Sequence, residues 1–195
     1  MHVGNRNRID LGSSSFSSFI KEDILYVDKT SFVEHVLDDA SRVLLFCRPR
    51  RMGKTLNLDT LRTFLDVKGG AAAQGLFSGL AIGESPHFSK ANSRPVIWLS
   101  FRDLGQEGYR TNFRFAVEEQ AERYLGKDQY SSALRAIIAG NDEALTTALK
   151  HLTKSIHTAY GIEPYLLIDE YDKLVMHPEQ LLGKKRHDEH HQRRP

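Results

Sequence analysis

Phe46-Cys47-Arg48-Pro49-Arg50-Arg51-Met52-Gly53-Lys54-Thr55 is the stretch on which the chain turns: an apolar run stops, a basic turn follows, and Gly-Lys-Thr opens a helical pattern. That succession has the form of a phosphate-binding loop, in which backbone N–H groups at the N-terminus of the new helix face the phosphates. In such a loop Lys54 reaches the β- and γ-phosphates and the Thr55 hydroxyl holds Mg²⁺. Gly53 lets the backbone approach an anion without a Cβ in the way, and lysine supplies a compact charge on a long stem. Met52 and Leu56 flank these residues and complete the candidate loop, with Arg48, Arg50 and Arg51 as auxiliary phosphate contacts. The pattern G-x-x-x-x-G-K-[ST] asks for glycine where this chain has Arg48. A basic loop before an ordinary core helix is the plain alternative.

The flanks supply the context. Upstream, Val43-Leu44-Leu45-Phe46-Cys47 reads as a fully buried strand; downstream, Leu58, Leu61, Phe64 and Leu65 fall on one face at helical spacing. Further on, Tyr165-Leu166-Leu167-Ile168-Asp169-Glu170 is an apolar run ending in two carboxylates, the form of a Walker B strand. Acids that end a buried parallel strand lie at the carboxyl edge of the sheet, where ligands of open α/β sheets bind. Asp169 is then the Mg²⁺ ligand and Glu170 the base that polarises the attacking water. Alone, such a run is more commonly a strand entering an acidic turn. Both motifs in this order favour nucleotide chemistry.

Five blocks carry a closer resemblance: Tyr26-Val27-Asp28-Lys29-Thr30; Arg48-Pro49-Arg50-Arg51-Met52-Gly53-Lys54-Thr55; Leu76-Phe77-Ser78-Gly79-Leu80-Ala81-Ile82; Pro95-Val96-Ile97; and Leu167-Ile168-Asp169-Glu170-Tyr171-Asp172-Lys173. Together, over about residues 16–173, they resemble the predicted AAA-ATPase-like family of prokaryotes. That family also has arginine at the place of Arg48. The resemblance implies an ATP- and Mg²⁺-dependent P-loop ATPase, and a place for the Val-Asp-Lys-Thr block near the nucleotide, at its adenine end. It also implies members that continue further, often into a nuclease-like C-terminal domain of the PD-(D/E)XK kind.

At 195 residues, 40% hydrophobic and 27% charged, the composition is that of an ordinary globular protein with room for one sizeable core. The formal charge is +2, but residues 183–195 set Lys184, Lys185, Arg186, Arg193 and Arg194 against Asp188 and Glu189, so the body is not basic and nucleic acid is not indicated. Cys47 is the single cysteine, placed at the end of a strand expected to be buried, which rules out an internal disulfide and fits a reduced, cytoplasmic setting. No run approaches ~18 apolar residues, and the N-terminus lacks a signal-peptide pattern.

In chain order, residues 1–18 are polar and serine-rich, expected to be a flexible lead-in. Asp28 or Thr30 caps a short helix with Phe32, Val33, Val36 and Leu37 on one face. Leu76, Phe77, Leu80 and Ile82 form a small apolar staple, and Val96 to Phe101 read as a second buried strand, with Arg102 and Asp103 at its end, a surface ion pair being the simplest reading for them. Three helical stretches follow, through Phe113 to Leu125, Tyr130 to Ile138 and Leu145 to Tyr160, the last capped by Asn141 and Asp142 and ended by Gly161 and Pro164. His151 and His157 lack metal-ligand spacing, and His187, His190 and His191 sit in a charged tail.

The expected fold is α/β, a P-loop NTPase with a parallel sheet flanked by helices and incomplete at the C-terminus. It comprises a lead-in (1–18), a P-loop domain (19–182) and a disordered tail (183–195). ATPases of this class place another, later strand with a polar sensor residue between the P-loop strand and the Asp169 strand, and nothing strand-like follows Lys173. The expected function is an ATP/Mg²⁺-binding module whose full-length relatives hydrolyse ATP, with a homo-oligomer or a partner supplying missing strands left open. The competing expectation is a non-catalytic remnant that serves as a nucleotide-binding or protein-interaction module.

Overall fold

Helices in this chain form where apolar residues recur at helical spacing and stop where the pattern breaks. The computed structural model describes residues 12–22, 24–47, 49, 52–102, 109–141 and 144–171. They contain helices α1 (Phe16–Lys21), α2 (Ser31–Asp38), α3 (Lys54–Leu65) and α4 (Gly70–Gly75), strand β1 (Val96–Ser100), helices α5 (Tyr109–Tyr124), α6 (Ser132–Ile138) and α7 (Ala148–Tyr160), and strand β2 (Tyr165–Asp169), with short 3₁₀ turns between. No helix among the described residues is long and apolar enough to cross a membrane. Asp103, Asp142, Asp172, Lys173 and the tail from 172 onward lie outside the described residues, as do residues 1–11.

The two strands pair in parallel, the ladder running from the Tyr165 N–H on Pro95 O to the Phe101 N–H on Asp169 O, each 3.0 Å. The described residues divide into two compact units, one within 12–97 and 160–167, the other within 98–159 and 168–171.

The first unit is organised on α3. Leu61, Phe64 and Leu65 are all at most 1% exposed, as the helical spacing requires, and α1, α2 and α4 pack on this helix. Phe77 joins Phe16 and Phe64 in a cluster of fully buried rings, with Phe16 stacked on Phe77 at 4.8 Å and Phe64 edge-on to Phe77 at 5.3 Å. Leu80 and Ile82 are buried beside them, so the expected staple forms. Helix α1 begins at Phe16, two residues before the expected end of the lead-in, because Phe16 and Phe19 are buried.

In the second unit, α5 presents Phe113, Val117, Ala121 and Tyr124 as one buried face, α6 adds Leu134 and Ile137, and α7 adds Leu152 and Ile156. Gln120, itself buried, accepts the Trp98 N–H through Oε1 at 3.1 Å, satisfying a β1 backbone donor that the partner strand does not reach. Beyond α7, Gly161 takes φ 69°, the left-handed turn that ends a helix.

Residues 43–47 correct the sequence reading. They form no strand and are largely exposed, Val43 at 84% and Leu45 at 63%, with Cys47 exposed rather than buried. An apolar run becomes a buried strand only when neighbouring strands take its backbone hydrogen bonds and a layer covers its faces. Among the described residues the sheet contains β1 and β2 alone, and the run finds neither. The Phe46 ring, 5.0 Å from that of Phe32 and edge-on to it, is its anchor.

Candidate functional site

Gly53 is the N-cap of α3 and sits at φ 74°, ψ 24°, a left-handed conformation that glycine adopts without steric cost. The chain therefore turns at Gly53 and enters the helix at Lys54, and the first intrahelical bond runs from the Asn57 N–H to Gly53 O at 2.9 Å. Lys54, Thr55 and Leu56 form the first turn, the end at which helix N–H groups and the positive end of the dipole converge. All three are half-buried, while Met52 is 54% exposed and Pro49 is exposed. Arg48, Arg50 and Arg51 lie outside the described residues.

Buried polar bonds hold this helix in place. Asp59, on its second turn, accepts the Phe16 N–H through Oδ2 at 2.8 Å and meets Arg62 through Oδ1 at 2.7 Å. Tyr26 is buried against the same helix, where burial pushes its phenol up against the opposing effect of a hydrogen bond with Thr60. Sequence reasoning missed Asp59. The available signal was an acid set among the apolar positions of an amphipathic helix.

The Val27-Asp28-Lys29-Thr30 block performs a different task from capping. Thr30 precedes α2 but makes no side-chain cap bond. Its hydroxyl instead donates to Asp28 Oδ1 at 2.7 Å and accepts the Ile82 N–H at 3.1 Å, while Asp28 Oδ2 accepts the Ala81 N–H at 2.8 Å. Asp28 Oδ1 also takes the Thr30 N–H. Both carboxylate oxygens are thus engaged within the protein, and the block is clamped to the Leu76-to-Ile82 block some 50 residues later. Such long-range pairing leaves no mark in local periodicity.

Burial works to raise the Asp28 carboxyl, but the bonds from Thr30 N–H, Ala81 N–H and the Thr30 hydroxyl outweigh it and hold the group below the usual carboxylate range. The stability this contributes is present above the ordinary aspartate value of about 3.9 and is lost as pH falls through the lowered folded value. Asp28→Asn is therefore expected to flatten the acid limb of a Tm-against-pH curve below about pH 4. A limb of unchanged slope would mean the clamp carries no charge-dependent stability.

In the second unit, Asp169 ends β2 with only 3% exposure. Its Oδ1 accepts the N–H of Glu170 at 3.1 Å, and its backbone carbonyl takes the Phe101 N–H. Glu170 follows at φ 54°, one of two non-glycine residues with positive φ among those described. Side chains held there cost on the order of 1 kcal/mol or more and cluster at functional sites. The Glu170 carboxylate meets Arg102 Nε at 3.2 Å. Arg102 thus pairs with Glu170, while Asp103, with which the sequence reading grouped it, lies outside the described residues.

Each unit holds an oxygen donor of the kind a hard cation such as Mg²⁺ takes: the first a hydroxyl at Thr55, the second a carboxylate at Asp169. Among the described residues no group of three or more His, Cys, Asp or Glu could enclose a metal.

These features define a class: an α/β protein with a glycine-led helix opening and an acid-ended parallel strand. The profile of the AAA-ATPase_like family, described as predicted AAA-ATPase, matches residues 10–191, and the chain belongs to that family. It is similar to an uncharacterized protein in the vnfD 5′ region of Azotobacter chroococcum mcd 1, with 29% identity over 178 residues, 88% of this chain and 30% of that protein. The chain thus spans less than a third of that relative's length. No solved structure matches it significantly. Family membership supports a general nucleotide-binding, ATPase-like role.

Proposed function

We propose that the chain binds ATP with Mg²⁺ at the opening of α3 and that Asp169 and Glu170 serve its hydrolysis. The observation that carries this is the left-handed Gly53 delivering Lys54 and Thr55 into the first turn of α3. Bound Mg²⁺ would neutralise charge on the phosphates during transfer. Lys54 contributes a point charge toward the β- and γ-phosphates, and the Thr55 hydroxyl and Asp169 carboxylate supply oxygens to the ion. Glu170 orients a water and accepts its proton at the carboxylate. Arg48, Arg50 and Arg51 would add phosphate contacts, and Met52 and Leu56 the loop's flanks.

A second reading, binding without hydrolysis, is favoured by the exposed run at 43–47, since the loop is not led by a strand that would fix its aim. Binding is tested first. ATP with Mg²⁺ is expected to raise Tm, because a ligand at 100 times its Kd adds about 2.7 kcal/mol. Lys54→Ala should abolish that shift while leaving the Tm without nucleotide unchanged. A full shift in this variant would remove the phosphate-cradle assignment.

A further inference from the structure

We propose that Arg102 is a positioning residue for Glu170, holding the carboxylate that orients water; this rests on the hydrolytic reading above. The placement follows from the sheet. Strands β1 and β2 are adjacent and parallel, and their last rung, the Phe101 N–H on Asp169 O, sets the next residue of each strand, Arg102 and Glu170, side by side at the carboxyl edge. There the Nε–Oε1 pair closes at 3.2 Å, with the Glu170 side chain 27% and that of Arg102 52% exposed. Arg102 is steadied in turn by its own N–H on Ser100 Oγ at 3.3 Å.

Two physical arguments separate this pair from an incidental surface bridge. Glu170 has a left-handed backbone, φ 54°, which a carboxylate-bearing side chain adopts only when its surroundings hold it there. Its N–H is already committed to Asp169 Oδ1 and its side chain to Arg102, so the residue is fixed at both ends. An exposed ion pair adds little to stability, so a merely structural Arg102 would move neither Tm nor turnover appreciably.

The experiment compares the full 195-residue chain with Arg102→Ala, Arg102→Lys, Glu170→Gln and the Arg102→Ala/Glu170→Gln double variant. ATP turnover and the MgATP-induced Tm shift are measured for each, and the Arg102 Nε–H resonance for the wild-type chain and Glu170→Gln, which keep the arginine. Arg102→Ala should lower kcat by roughly tenfold or more, with KM and the Tm shift kept. Arg102→Lys should restore part of the rate, and the double variant should be no slower than Glu170→Gln alone, since both act through one group. Turnover of Arg102→Ala within about twofold of wild type, or a full additive loss in the double variant, would overturn the assignment. A chain that binds MgATP but does not hydrolyse it removes the hydrolytic reading and, with it, the positioning role. The Nε–H resonance distinguishes the two failures: Glu170→Gln should shift it if the pair exists in solution, and an unmoved resonance shows that the pairing itself is wrong.

Discussion

Phe64→Ala is expected to destabilise the protein by about 3–5 kcal/mol, the range for emptying a buried aromatic site. The ring is fully buried, edge-on to Phe77 at 5.3 Å and 6.3 Å from Phe88, and Phe77 is stacked in turn on Phe16. Removing it opens a cavity between rings from separate elements, which cannot all collapse into it together. A domain has roughly 5–15 kcal/mol in total, so the loss is a large share. Urea denaturation measures it as a fall in the midpoint at constant slope. Because Phe64 lies on α3, the nucleotide-induced Tm shift should weaken as well, whereas Lys54→Ala loses that shift with its stability intact. A loss below about 1 kcal/mol would mean the cluster repacks and is not the foundation of the helix.

Glu170→Gln is expected to cut ATP turnover by about 10²–10⁴-fold while leaving MgATP binding in place, since general-base assistance is of that size. Glutamine keeps the shape and the left-handed backbone position but cannot take a proton, and Asp169 remains to serve the ion. Stability should change little, because the ion pair lost with Arg102 is partly exposed. Steady-state turnover and the MgATP-induced Tm shift, read on the same preparation, separate the two effects. If turnover and binding both survive, Glu170 is a structural acid and another group activates the water.

Much of this was legible in the chain's local patterns. The face of α3 through Leu61, Phe64 and Leu65, the α5 stripe of Phe113, Val117 and Ala121, and the strands at Val96 and Tyr165 follow from residue spacing, which reports which side of an element is wet. The helix opening after Gly53 was legible for a similar reason, since it follows from the local pattern, while the left-handed φ of 74° at that glycine was shown by the structure. Asp28 and Thr30 were misjudged as caps because their partners, Ala81 and Ile82, are remote in sequence.

The sequence by itself determined α2, α3, α5, α6 and α7, the two strands, the helix opening at Lys54 and the acids that end β2, because each depends on neighbours within a few residues, whereas α1 and α4 carry no such local signal. Tertiary structure alone decided the rest. Residues 43–47 carry strand-like side chains yet stay outside the sheet, since a strand exists through hydrogen bonds to another segment. Asp59 acquired its task from the Phe16 N–H, and Glu170 met Arg102 because two parallel strands end side by side. Those bonds join positions more than 40 residues apart, where no local pattern in the chain could announce them.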